Sequence, residues 1–304
     1  MIHVVSFGLG FCLFHADYSK EKGVVLSNKG LLDAIKNQKK TEDKLIVMLG
    51  SMRQSVAVDS KRSQQTDTES GFTAIQQISD YLGATLDPFL LADVYGSLES
   101  GESFKRAVET YTGNHADWVK DSTRISIVFG QFQKIANDYP GETIRFDFYD
   151  DRGFRAVYTN DVLEYMRSYF TFRYPEMMPS QVTLHLNYYD GKKLKSYAPI
   201  QGKGVVDENY RETILAMNEL AKTCGDIDSI FPNSVYHVDL RQIPHLAERI
   251  PAPPQKAKKH KNAQPKKSGI LDCPASAFQF IFSFFKAQPQ KDEANQAEAE
   301  LKMD

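Results

Sequence analysis

Cysteine is scarce in this chain and poorly spaced for chemistry: Cys12, Cys224 and Cys273 are the only three in 304 residues. An odd, scattered set builds neither a disulfide framework nor a metal cluster, and it suits a reducing compartment. Long apolar runs are also missing, since no stretch approaches the roughly 20 residues that a membrane-spanning helix needs. Residues 1–15 are apolar but carry no basic lead and no small-residue cleavage site, so they read as a buried first strand rather than a signal peptide. Charge of one sign is not in excess either: 37 Lys and Arg face 39 Asp and Glu. That balance points to no class of partner. No internal repeat is present. What remains is an ordinary folded composition, 41% hydrophobic and 25% charged, long enough for one large domain or two small ones.

The most informative stretch is TIRFDFYDDR at residues 143–152. Ile144, Phe146 and Phe148 alternate with Arg145, Asp147 and Tyr149, the period of a strand. The strand stops on two adjacent carboxylates, Asp150 and Asp151. Open α/β sheets hold ligands outside the carboxyl ends of their strands. Paired carboxylates there suit a hard, oxygen-seeking ion such as Mg²⁺, and equally a strand running into a polar turn.

Upstream, residues 3–7 and 45–49 are compact apolar strand patterns, with Leu31, Leu32 and Ile35 at helical spacing between them. Strand, helix and strand in this order predict a Rossmann-like, doubly wound, mostly parallel α/β sheet. Residues 51–71 are polar and read as a loop, and 60–115 as an insertion or small cap. Further helices are expected at 72–82, 122–136, 161–172 and 208–222, and strands at 89–94, 182–188 and 234–240.

Composition changes at Pro251. Residues 251–269 form a basic Pro/Lys linker whose six lysines are Lys256, Lys258, Lys259, Lys261, Lys266 and Lys267. Residues 270–286 are apolar, with Phe278, Phe280, Phe282, Phe284 and Phe285, and 287–304 are polar and acidic. Lysines ahead of an aromatic segment suit an anionic membrane surface, each contributing about 1 kcal/mol. A helix over 275–285 is too short to cross a bilayer at about 1.5 Å per residue and would lie in the interface. The same phenylalanines also alternate as an edge strand would. Cys273 beside them is a candidate acylation site. No motif supports a nucleic-acid role.

VVSFGLGFCLFH, LIVMLGS, a helical lysine in mid-chain and IRFDFYDDR, in this order, resemble the haloacid-dehalogenase-like (HAD) phosphatases over residues 1–245. The wording is most similar to the HAD-like effectors that Legionella delivers into host cells by type IV secretion. The glutamate-rich tail is similar to the C-terminal signals of such effectors. In the family the first motif is Asp-x-Asp-Gly, whose first Asp attacks phosphorus and whose second is the general acid and base. The resemblance sets Gly8 at the nucleophile position, Gly10 at the acid/base position and Phe11 at the glycine position. It implies that Ser51 and Lys134 bind phosphate and that Asp150 and Asp151 hold Mg²⁺.

Glycine supplies no side-chain oxygen for in-line attack, and loss of a covalent nucleophile costs on the order of 10⁶ in turnover. Because the family's nucleophile also ligates the metal, Mg²⁺ affinity is expected to be weakened or lost. Ser6 lies inside the strand and Cys12 beyond it, so each is a poor substitute. Three readings follow. The first is a catalytically impaired effector, peripheral on a host membrane, that binds a phosphorylated protein or lipid. The second is an active Mg²⁺-dependent phosphatase of the phosphotyrosine type. The third is a non-catalytic interaction module. Gly8→Asp, Gly10→Asp and Phe11→Gly together are expected to return activity or metal binding if the rest of the site is intact.

Overall fold

A computed structural model describes residues 1–38, 43–111, 121–154, 161–223 and 234–251. The first half contains β1 (Ile2–Phe7), α1 (Gly23–Ser27), α2 (Lys29–Gln38), β2 (Lys44–Leu49), α3 (Val56–Thr66), α4 (Gly71–Leu82) and β3 (Thr85–Leu86). It continues through α5 (Leu91–Tyr95), α6 (Glu102–Glu109), α7 (Ile125–Asp138), β4 (Ile144–Asp150) and α8 (Val162–Ser168). The described chain ends with β5 (Val182–Tyr189), β6 (Leu194–Ser196), β7 (Ile200–Gln201), α9 (Tyr210–Thr223) and α10 (Pro244–Ala247).

The strands order as β3-β2-β1-β4-β5-β6, with β7 on β5. The first five are parallel; β6 and β7 are antiparallel to β5. The fold is therefore Rossmann-like α/β with a mostly parallel sheet. Alternation along each strand sends side chains to two cores. Val4, Met48, Phe146, Phe148 and Leu184 meet residues of α7, α8 and α9 on one face. Val5, Phe7, Val47 and Tyr149 meet residues of α2 and α4 on the other.

The chain runs outward from β1 through β2 to β3, then returns to the centre to place β4 on the other flank of β1. The sheet's switch point thus lies between β1 and β4, where open α/β sheets form their binding crevice. Register fixes what meets there. Phe7 pairs with Leu49 on one side and Tyr149 on the other, so Gly8, Gly50 and Asp150 emerge side by side. The Gly8 N–H donates to the Tyr149 carbonyl at 2.7 Å, and the Gly50 N–H to that of Phe7 at 3.0 Å.

Several local expectations are corrected. Residues 89–94 are not a strand: Asp93 accepts from the backbone N–H groups of Leu90, Gly101 and Ser103, which holds α5 and the turn after it. The apolar residues of this segment face the core from a helix. Residues 234–240 are not the sheet's last strand but two short helical turns, started by the side chains of Ser234 and Asp239. Residues 51–71 contain α3, capped by Ser55. Residues 60–115, expected as an insertion or cap, include β3 of the central sheet, and α4 packs against β2. The basic linker beyond Pro251, the phenylalanine segment with Cys273, the acidic tail and Cys224 lie outside the described residues. Among the described residues no helix is long and apolar enough to cross a membrane.

Candidate functional site

The crevice is built from three strand ends and the start of one helix. β1 contributes Gly8 and, in the following turn, Gly10; β2 contributes Gly50 and Ser51; β4 contributes Asp150 and Asp151. Helix α7 runs back toward the start of β4, so its amino end lies at this edge and brings Arg124. Its turn is held by Asp121, whose fully buried carboxylate accepts from the N–H groups of Thr123 (3.1 Å) and Ser126 (2.9 Å).

Asp150 is fully buried and sits between two guanidinium groups. Arg124 Nη1 pairs with Asp150 Oδ2. Arg152 Nε lies 3.6 Å from Asp150 Oδ1, which also accepts from the Arg152 N–H at 2.9 Å. Arg124 is itself buried, and burial is the main force lowering its guanidinium toward about 9; Arg152 lowers it further and Asp151 opposes both. It stays a cation at neutral pH. Its backbone is left-handed, φ 59°, a conformation that a side-chain-bearing residue adopts at a cost.

The two glycines differ. A Cβ on Gly8 would lie 2.5 Å from Asp150 Oδ2 and 2.8 Å from Arg124 Nη1, so no side chain fits unless both groups move. A Cβ on Gly10 would meet Asp151 Oδ1 at 3.6 Å, an ordinary contact. Phe11 beside it is 70% exposed.

The structure thus brings together Gly8, Gly10, Asp150 and Asp151, with Ser51 one residue past Gly50. Ser51 is buried and its Oγ accepts from the Arg53 N–H at 3.3 Å; the cap of α3 is Ser55, not Ser51. Lys134 is not at the crevice edge of α7. It follows Arg124 by ten residues, about 15 Å along a helix, and its ammonium is engaged by Asp87 at 2.8 Å and Asp138 at 2.5 Å. Of the two cations beside Asp150, Arg124, from the amino end of α7, was not among the sequence candidates. The signal for it was indirect: a carboxylate at a buried strand end, facing glycine, needs a counter-charge, and the nearest basic residue at the amino end of the preceding helix is Arg124.

Neither alternative nucleophile is placed for attack. Ser6 is fully buried and its hydroxyl donates to Gln131 Oε1 at 2.7 Å. Cys12 is buried, and burial, with Asp151 adding to it, pushes its thiol well above the ordinary range. It stays a protonated thiol, not the reactive thiolate.

A Mg²⁺ ion coordinates oxygen in near-octahedral geometry. Here Gly8 and Gly10 supply no side-chain oxygen, and Asp150 already faces a guanidinium. A dication at Asp150 would have to displace Arg124, so the residues present do not fit the ion. The chain matches no family model, no curated protein and no solved structure.

Proposed function

We propose that this protein is a HAD-like phosphatase-fold effector that no longer hydrolyses phosphate esters and instead binds a phosphate-bearing protein or lipid at a host membrane. The observation that carries this reading is Gly8 at the switch point. The strand order, the Asp150–Asp151 pair after β4 and the Ser51 turn after β2 are consistent with the resemblance, while Gly8 has no side-chain oxygen and a Cβ there would press on the side-chain ends of Asp150 and Arg124. Removing a reacting oxygen abolishes the covalent step but leaves the surrounding scaffold. Delivery by type IV secretion, which the resemblance implies, and peripheral attachment through 252–286, which the lysine and phenylalanine content of that segment suits, belong to the same proposal.

The test is binding without turnover. Full-length protein is mixed with a phosphotyrosine peptide and, separately, with phosphoinositide-containing vesicles, in EDTA and in Mg²⁺. The reading predicts binding to one of them, unchanged by EDTA, with no phosphate released. No binding to either, or release of phosphate, counts against it.

A further inference from the structure

We propose that Arg124 is a built-in cation standing where a phosphatase of this kind would hold its metal, so that the crevice keeps its carboxylates together without a divalent ion. The inference rests on the reading of the crevice given above but fails separately from it. Metal binding without hydrolysis would remove this proposal and leave that reading in place.

Three observations carry it. The first is position: Arg124 Nη1 pairs with Asp150 Oδ2 at the end of β4, and both residues are buried. A fully buried carboxylate requires a compensating charge, and a guanidinium supplies one permanently. The second is space. The Cα hydrogen of Gly8 is what lets the guanidinium lie against β1, because a Cβ there would fall 2.8 Å from Arg124 Nη1 and 2.5 Å from Asp150 Oδ2. Gly8 and Arg124 are therefore a matched pair: an aspartate at position 8 and an arginine at 124 compete for the same volume. The third is charge. Asp150 is met by both Arg124 and Arg152, so this carboxylate is compensated before any ion arrives. The left-handed backbone of Arg124 sets the start of α7 where the side chain reaches the carboxylate.

This alters what restoring the first motif would do. Gly8→Asp alone brings a third carboxylate against Asp150 while the arginine still fills the space. It is expected to destabilise the protein rather than recover metal binding. The paired change Gly8→Asp with Arg124→Ala removes the competitor.

The experiment titrates Mn²⁺, a spectroscopically visible substitute for Mg²⁺, into the full-length protein by electron paramagnetic resonance, with thermal unfolding in MgCl₂ alongside. Wild type is expected to show no saturable Mn²⁺ site in the millimolar range and no upward shift in Tm beyond that from NaCl of equal ionic strength. Arg124→Ala is expected to melt lower than wild type, to regain part of the loss in MgCl₂ and to bind Mn²⁺ at least about tenfold more tightly. Should Arg124→Ala fail to fold, Arg124→Gln, which keeps most of the volume, replaces it, and the wild-type titration decides by itself. Saturable Mn²⁺ binding by wild type that disappears in Asp150→Asn overturns the proposal. So does a folded Arg124 variant as indifferent to Mn²⁺ as wild type.

Discussion

Arg124 and Asp150 form a buried ion pair across the switch point of the sheet, joining the amino end of α7 to the carboxyl end of β4. Breaking a buried pair from one side strands the other charge, which typically costs about 3–5 kcal/mol. Asp150→Asn, which strands Arg124, is expected to lose stability of that order, and Arg124→Met, which leaves Asp150 with Arg152, to lose less. The double variant, with no stranded charge, is expected to lose less than the sum. A double-mutant cycle in urea reads the coupling directly.

Gly50 is a second packing constraint at the same edge. A Cβ there would lie 2.4 Å from Ser6 Oγ and 2.7 Å from Phe148 Cε2, in the core between β1 and β4. Gly50→Ala therefore overpacks a filled region and is expected to destabilise by about 1–3 kcal/mol. Gly30→Ala, which meets nothing within 4 Å and lies in α2, is the control and should be neutral or slightly stabilising.

Acid sensitivity follows from Asp147. Its carboxylate is buried beside β1 and takes His3 Nε2 at 2.6 Å and Arg145 Nε at 2.7 Å. Burial alone would raise its pKa, but these partners outweigh it and hold the group below its ordinary value of 3.8. An acid whose pKa is lower folded than unfolded stabilises the fold above the unfolded value and loses that contribution as pH falls through the folded one. Unfolding free energy is thus expected to drop as pH falls below about 4. Asp147→Asn should be less stable at pH 7 and show a shallower acid limb in pH-dependent urea titrations.

The membrane proposal is tested by flotation. Full-length protein is expected to float with anionic liposomes, less so as salt rises, and protein ending at residue 251 is expected to remain at the bottom. Six lysines at about 1 kcal/mol each give a difference large enough to read. Equal flotation of the two would refute the attachment.

Much of the architecture was legible because its cause is local. The strict alternation through Ile144, Phe146 and Phe148 marks β4, and the alternation over 182–188 marks β5 to within a residue of its observed end at Tyr189. Segments whose apolar residues are held by side-chain caps were misread. Asp93 folds 91–95 into a helix, and Ser234 and Asp239 turn 234–240 into helical turns, although their hydrophobic spacing fits strands. At the crevice, Asp150 and Asp151 follow from the end of the β4 alternation, whereas Gly8 and Gly10 were marked by the resemblance. The cation was not. Lys134 was what the resemblance implied, whereas Arg124 reaches Asp150 through a turn set by Asp121 and a left-handed backbone. No periodicity encodes such a turn.

The most direct test of the account is hydrolysis of an aryl phosphate by the full-length protein in Mg²⁺, with Asp150→Asn as the control. Wild type is expected to release phosphate no faster than the control or buffer, because Gly8 leaves no oxygen to attack. Mg²⁺-dependent turnover by the wild-type chain, abolished in Asp150→Asn, would contradict it.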